Sequence, residues 1–268
     1  MTWIYVFPAW LFFVGVVVAM ALLSCAGLLV FRRVVPVSEE LAHNDVAGPI
    51  IGTVGSILAV VLSFLLISNW QEYDAAAATV AQEAASLSDL YHQAAYLPAP
   101  VSSRLQDAIR TYVRAIIEQE WPAMKSGGRS RDAELASLSM LRIVSQYNPS
   151  TATQQALQQS ALGLMNSIAD GRRTRLFDND EGIPLIFWAG NVLIAVITIG
   201  FCYIFRVRNE WLHLAMTAAL AAVIGVIFVL TAEFDYPFRG DGQISPATLI
   251  HLQEQLSTPS LNQTNGAR

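Results

Sequence analysis

The chain has 268 residues, of which 54% are hydrophobic and only 14% are charged, and its mean hydropathy is +0.43. The apolar residues fall in long blocks instead of alternating with charges, which is typical of an integral membrane protein. A formal net charge of −5 without basic runs excludes a nucleic-acid-binding protein. We therefore expect a lipid bilayer around the chain and no nucleic acid partner.

The first two apolar blocks cover residues 4–31 and 48–69, and each is long enough to cross the hydrocarbon core, which takes about 20 helical residues. They predict a first transmembrane hairpin within residues 1–69. Gly48, Gly52 and Ser56 are spaced four apart and share one face of the second span. Small side chains on such a face let another helix approach closely. The spacing leaves open whether that helix belongs to the same subunit or to a second one.

His43 and Asn44 stand just before the second span. Asn44 or Asp45 is expected to cap the helix that follows, and the alternative is a metal or anion site at the membrane surface. The four histidines of the chain show no metal-ligand spacing, so we expect no metal.

Residues 70–182 form an extramembrane domain of about four helices. Apolar residues recur there at helical spacing, with breaks at Pro98 and Pro100, from Pro122 to Gly128, and at Pro149. Leu135, Leu138 and Leu141 are expected to face the core of this domain. Neither Pro nor Gly occurs between Ser56 and Tyr96, so the second span should continue into the domain as one unbroken helix.

The last two apolar blocks cover residues 183–205 and 212–232 and predict a second transmembrane hairpin. The fourth span carries its own face of small residues, which includes Ala221 and Gly225. Residues 233–268 form a polar C-terminal segment, with a short amphipathic helix over 245–256 and a disordered end. The fold class is therefore all-α, with four transmembrane helices and an inserted helical domain.

Basic residues predict how the chain sits in the cell inner (plasma) membrane. The short loops after the first and third spans carry Arg32, Arg33, Arg206 and Arg208. Because Lys and Arg in short loops stay on the cytoplasmic side, both hairpin tips should be cytoplasmic and the helical domain should lie outside.

Two charged or polar clusters are candidate functional sites. Arg172 and Arg175 belong to the densest basic cluster. The sequence leaves three interpretations open: exposed local ion pairs, pairing with Glu83 or Glu120 inside the domain, or binding of an anion at a pore entrance. The second cluster follows the fourth span and includes Asp235, Pro237, Phe238 and Gly240. Its Pro and Gly fix a turn, and we expect it to lock the exit of that span against the domain.

No catalytic motif or cofactor-binding loop occurs in the sequence, so we expect neither an enzyme nor a cofactor. Hydroxyl side chains in the spans, such as Ser56 and Ser63, are expected to bond back to their own helix, and a passive pore is the alternative reading of them.

The order of these residues resembles a bacterial membrane family, the bestrophin-like domain of unknown function. The resemblance runs from about residue 33 to 256, and its most specific part is the element from Asp235 to Gly240. The other matching residues are His43, Asn44, Glu83, Tyr112, Glu120, Trp121, Arg172, Arg175 and Trp188.

The resemblance implies kinship with bestrophins, which are oligomeric anion channels with four spans and a helical domain after the second. It therefore implies a homo-oligomer, an ion pore and a small anion as partner. It also implies a cytoplasmic domain, which is the opposite of the arginine placement. The alternative function is a membrane-anchored sensor or scaffold whose helical domain binds a partner.

Overall fold

A computed structural model describes residues 8–35, 44–205 and 209–257, and all regular structure within them is helical. The predicted all-α fold is thus confirmed. His43, Arg206 and Arg208, the start of the first predicted span and the end predicted to be disordered lie outside the described residues. The helices are α1 Ala9–Val34, α2 Asn44–Ala94, α3 Val101–Ala115, a π-helical turn Ile116–Glu120, α4 Trp121–Met124, α5 Arg131–Gln146, α6 Ala152–Asp180, α7 Leu185–Ile204, α8 Glu210–Phe234 and α9 Ala247–Ser257.

Four of the described helices are long and apolar enough to cross a membrane, namely α1, α2, α7 and α8. The second is by far the longest. It has 51 residues, which at 1.5 Å per residue is about 75 Å and more than twice the hydrocarbon thickness. Pro49 is accommodated near its beginning. The predicted continuous helix is therefore present, and α2 belongs both to the membrane part and to the domain.

The spans do not pack in the order in which they follow one another. The largest interface between spans joins α1 to α8, and α2 packs against α7 and α8. Gly225 makes the first contact possible, because a Cβ there would lie 3.2 Å from Sδ of Met20 and 3.4 Å from Cα of Val17. The spans of each predicted hairpin are therefore consecutive along the chain, but each span packs mainly against a span from the other hairpin.

The domain has a single hydrophobic core, which is built from α2, α3, α4, α5, α6 and α9. Three leucines of α9, at positions 249, 252 and 256, are buried in it. The short helix expected within the C-terminal segment therefore exists and packs against α2 and α3.

The prediction that the leucines of α5 face the core of the domain is wrong. Leu135, Leu138 and Leu141 are exposed, and the buried residues are Ala133, Ala136, Met140 and Val144. The small alanine side chains allow α5 to pack closely on α3, and the leucines consequently project outward.

Candidate functional site

The centre of the domain holds a buried network of two carboxylates and two guanidinium groups. Arg175, on α6, is fully buried and lies between Glu83 of α2 and Glu120 of the π-helical turn. Its Nε donates to Oε2 of Glu83 at 3.0 Å, and its Nη2 donates to Oε1 of Glu83 at 3.3 Å and to Oε2 of Glu120 at 3.2 Å. This geometry joins α2, α6 and the end of α3 at one point.

Arg172 lies one turn earlier on α6 and supplies the second positive charge, so that the two carboxylates face two guanidinium groups. Its Nη2 donates to Oε1 of Glu120 at 2.6 Å, and its Nε donates to Oε2 at 3.1 Å. The hydroxyl of Tyr112 donates to Oε1 of Glu83 at 2.8 Å. Two negative and two positive charges therefore neutralise one another in a site where Glu83, Glu120 and Arg175 are fully buried and Arg172 keeps 14% exposure, which is the arrangement that makes buried ions tolerable. We call these five residues the ion-pair network.

The environment of the ion-pair network keeps its basic and phenolic groups protonated. Burial, followed by the negative charge of Glu83, raises the pKa of Tyr112 well above its ordinary value. Burial by itself would lower the pKa of Arg175, but the charges of Glu83, Tyr112 and Glu120 and the hydrogen bond to Glu83 together outweigh that effect, and the pKa is raised. For Arg172 the hydrogen bond and charge of Glu120 likewise overcome burial and raise the pKa. Tyr112, Arg172 and Arg175 therefore stay protonated at neutral pH, and the arrangement suits a structural interlock better than acid–base catalysis.

Of the three alternatives for the basic cluster, the structure brings Arg172 and Arg175 together with both Glu83 and Glu120. Only the neighbouring Arg173 forms an exposed local pair, with Asp170. Gly171 has a clear role in this contact, since a Cβ at this position would lie 3.2 Å from Cβ of Glu83. The absence of a side chain there lets α6 approach α2 closely enough for the buried pairing.

The element after α8 ties the membrane part to the domain. Asp235 accepts a hydrogen bond from the backbone N–H of Ile183 at 2.5 Å, and Phe238 is buried with its ring edge-on to Trp121 at 5.6 Å between centroids. Gly240 has φ of +73°, a conformation that glycine adopts at no steric cost. The indole N–H of Trp121 donates to the carbonyl of Ile244 at 3.2 Å.

Two further residues hold this element in place: Pro237, which was a candidate from the sequence, and Arg239, which was not singled out. Pro237 is buried, and its carbonyl accepts from the N–H of Ile244 at 2.8 Å. Arg239, also buried, donates to the backbone carbonyl of Asn179 at the end of α6. Its guanidinium also lies against Gly127, which has φ of +75°. The only sequence signal for these contacts was the turn-forming Pro and Gly.

Three glycines in the membrane part of α2 have no neighbour among the described residues of the subunit. A Cβ placed on Gly48, Gly52 or Gly55 would meet nothing within 4 Å. Ser56 and Ser63 are exposed and donate to the carbonyls of Gly52 and Ala59, at 2.8 and 2.7 Å. The expected back-bonding of these hydroxyls is confirmed. Asn44 is the first residue of α2.

A half-open cavity of about 810 Å³ lies where the spans meet the domain. We call it the junction cavity. It is bounded by α2, the end of α6, the beginning of α7 and Pro237, and its acidic residues are Glu72, Asp178, Glu181 and Asp235. The sequence did not indicate this cavity, because Asp178 and Glu181 follow the basic cluster closely and were interpreted as ion-pair partners of its arginines. Among the described residues no group of three or more His, Cys, Asp or Glu could hold a metal ion.

Comparisons with known proteins agree with this architecture. A family model for the Bestrophin-like domain matches residues 18–249. A crystal structure of a bacterial bestrophin homologue from Klebsiella pneumoniae, in a single-substitution form, superposes with a TM-score of 0.66 at 12% identity, over 93% of this chain and 99% of that chain. A second crystal structure, described only as a membrane protein, gives 0.66 at 11% identity over 91% and 97% of the two chains. At such identities the likeness shows a shared fold. No curated protein matches the chain.

Proposed function

The chain belongs to the bestrophin-like family, and from that membership we propose that it assembles into a homo-oligomeric ion channel in the inner membrane. The observation that carries the proposal is the face of α2 formed by Gly48, Gly52, Ser56, Ala59 and Ser63. We call it the small-residue face. Within the described part of the chain it has no partner, since a Cβ on Gly48 or Gly52 would meet nothing within 4 Å and its other three residues are exposed.

The neighbouring face of α2 has a different character. Ile57, Val60 and Phe64 are large, apolar and exposed, and at 100° per residue they lie to one side of the small-residue face. Large apolar side chains suit lipid, whereas small ones suit a closely approaching helix or a narrow aqueous path. The two faces together favour an oligomer in which α2 of each copy is turned toward a common axis.

The fraction of buried residues supports the same arrangement. In the most apolar stretch of α8, 33% of residues are buried inside the subunit, against 11% for α1 and 11% for α2. Thus α8 is the central span of one subunit, and α1 and α2 leave most of their surface for lipid or for other copies. The resemblance to bestrophins favours a small anion as the permeant ion.

The test is ion flux into proteoliposomes that contain the purified protein, together with a density map of the particle. Gly52→Leu is expected to abolish flux while the subunit stays folded, because the new side chain meets nothing within the subunit. Gly15→Leu is the matched control, since a Cβ at this α1 glycine also meets nothing within 4 Å but lies off the small-residue face. Reversal potentials in chloride and sodium gradients identify the permeant ion. A monodisperse monomer without flux would contradict the proposal.

A membrane-anchored scaffold is the second candidate, and the exposed leucines of α5 favour it. Leu135, Leu138 and Leu141 form a row on the surface of the domain, and exposed apolar rows are typical of protein-binding surfaces. If they bind a partner, Leu138→Glu should remove a co-purifying protein without changing ion flux.

Orientation is part of the proposal. We infer from the arginines of the short loops that the hairpin tips are cytoplasmic and that the domain lies outside, and the kinship with bestrophins implies the reverse. Ser126 is exposed on the domain and is a suitable position for labelling from either side of the membrane.

A further inference from the structure

The junction cavity is strongly acidic although it lies beside the apolar spans. Its lining includes Glu72, Asp178, Glu181 and Asp235 but neither Lys nor Arg. Burial, and then the charges of Glu72 and Glu181, raise the pKa of Asp178. Burial also raises the pKa of Asp235, although hydrogen bonds from Ile183 and Trp188 oppose the effect. These carboxylates therefore repel one another, in contrast to the balanced charges of the ion-pair network.

A buried amide at the membrane end of the cavity also lacks a partner. Asn191 of α7 lines the cavity and is only 4% exposed. Its Nδ2 donates to the carbonyl of Phe187 at 2.8 Å, but within the described ranges its Oδ1 accepts no hydrogen bond. A buried amide oxygen without a donor is costly, and a ligand that carries N–H groups would satisfy it.

The remaining wall of the cavity is apolar and aromatic. Phe64, Phe177 and Phe187 line it, and each has more than half of its surface exposed. Aromatic faces attract cations, and more strongly where water is excluded. The volume of about 810 Å³ is in the range of sites for small organic ligands.

We propose that the junction cavity binds an organic cation, in which an ammonium group lies among Glu72, Asp178 and Asn191 and an apolar part lies against the phenylalanines. A bare metal ion fits less well, because no group of three or more His, Cys, Asp or Glu in the described ranges is arranged to hold one. An ammonium group needs only a few acceptors and a negative potential. The site is separate from the small-residue face, and the proposal does not rest on the proposed channel function.

Such an ammonium group has two possible sources. It belongs to a free amine or to the ethanolamine head group of a membrane lipid, which would reach the cavity from the adjoining bilayer. Both present the same chemistry to the carboxylates, and both are included in the test.

The experiment measures binding to the full-length protein purified in detergent. Titration calorimetry with ethylammonium, butylammonium and hexylammonium at constant ionic strength should show an affinity that rises with chain length. Butanol is the uncharged match for butylammonium and should not bind measurably. For the lipid source, the protein is placed in nanodiscs of phosphatidylcholine with or without phosphatidylethanolamine. Competition by the lipid is seen as weaker butylammonium binding.

Two substitutions test whether the cavity is the site. Asp178→Asn and Glu72→Gln should each weaken butylammonium binding at least fivefold, because each removes one negative charge beside the ammonium group. Glu118→Gln is the matched control, since Glu118 is exposed on the π-helical turn and does not line the cavity. It should leave the affinity unchanged.

Three results would overturn the proposal. They are binding of sodium as tight as that of butylammonium at the same ionic strength, equal butylammonium binding by Asp178→Asn and Glu118→Gln, and a density map in which a basic side chain of another copy fills the cavity. Binding is measured without flux and can be repeated on Gly52→Leu protein. Its failure is therefore distinguishable from a failure of the channel proposal.

Discussion

Replacing Arg175 with methionine should destabilise the domain severely. The guanidinium is fully buried and is shared by Glu83 and Glu120, whose side chains are themselves 0% exposed. Methionine is similar in length and keeps the packing against Trp121, over whose ring the guanidinium carbon lies at 5.3 Å. The substitution therefore removes one positive charge and leaves Glu83 with only the hydroxyl of Tyr112 as a polar partner in the network.

The magnitude follows from the burial of what is left behind. Breaking a buried ion pair by removing one partner costs about 3 to 5 kcal/mol, because the remaining charge stays away from water. For a chain of this size, 1 kcal/mol corresponds to about 2 to 4 °C in Tm, so the expected decrease is roughly 6 to 20 °C. The double variant Glu83→Gln/Arg175→Met removes one charge of each sign. It should recover about 1 to 3 kcal/mol of the loss, in line with the coupling seen between contacting residues.

The assay is thermal unfolding of purified protein, followed by circular dichroism and by loss of monodispersity in detergent. Arg173→Met is the matched control, because Arg173 is exposed and pairs only locally with Asp170. Its effect should stay within about 0.5 kcal/mol. If Arg175→Met melts within 2 °C of the control, the network does not hold α2, α6 and the π-helical turn together, and the reasoning fails.

Three further outcomes are expected. Without ligand, Asp178→Asn should raise Tm at pH 7, although the same substitution weakens cation binding. Burial and the charges of Glu72 and Glu181 raise the pKa of Asp178 in the folded protein, so the ionised carboxylate destabilises the fold and its removal should stabilise it. An acid with a raised pKa loses stability as pH rises through that pKa, so the gain should disappear below pH 4, and an equal Tm at pH 7 would contradict it. Gly127→Ala should cost about 1 to 2 kcal/mol, since φ is +75° and a Cβ would lie 2.9 Å from Nη2 of Arg239, whereas Gly163→Ala, with nothing within 4 Å, should not destabilise in a parallel melt. Ser126→Cys, in a chain whose two native cysteines are replaced by alanine, should react with an impermeant maleimide on intact cells if the domain lies outside, and labelling only after lysis would place it in the cytoplasm.

Much of the local structure could be predicted from the sequence. Blocks of about 20 apolar residues predicted the four spans, because a helix is the simplest way to satisfy backbone hydrogen bonds in lipid. The absence of Pro and Gly from Ser56 to Tyr96 predicted that α2 continues into the domain. These features depend on neighbours along the chain, and such neighbours are visible in a sequence.

Faces and partners were harder to predict. The leucines of α5 were assigned to the core because large apolar side chains usually lie there, but close packing on α3 favoured the alanines of the opposite face. Likewise, the sequence indicated small-residue faces on both α2 and α8. Only the structure shows that Gly225 packs on α1, while Gly52 meets no neighbour among the residues that the structure describes.

By itself, then, the sequence determined the class of protein, the spans, the helix breaks and the turn after α8. The tertiary structure decided that α1 packs on α8, that α9 completes the domain, and that the acidic residues near the end of α6 enclose a cavity. It also decided that Arg175 meets Glu83, which lies 92 residues away along the chain. Periodicity records which residues share a helix face, whereas the pairing of faces depends on shape and charge complementarity between segments that are distant along the chain.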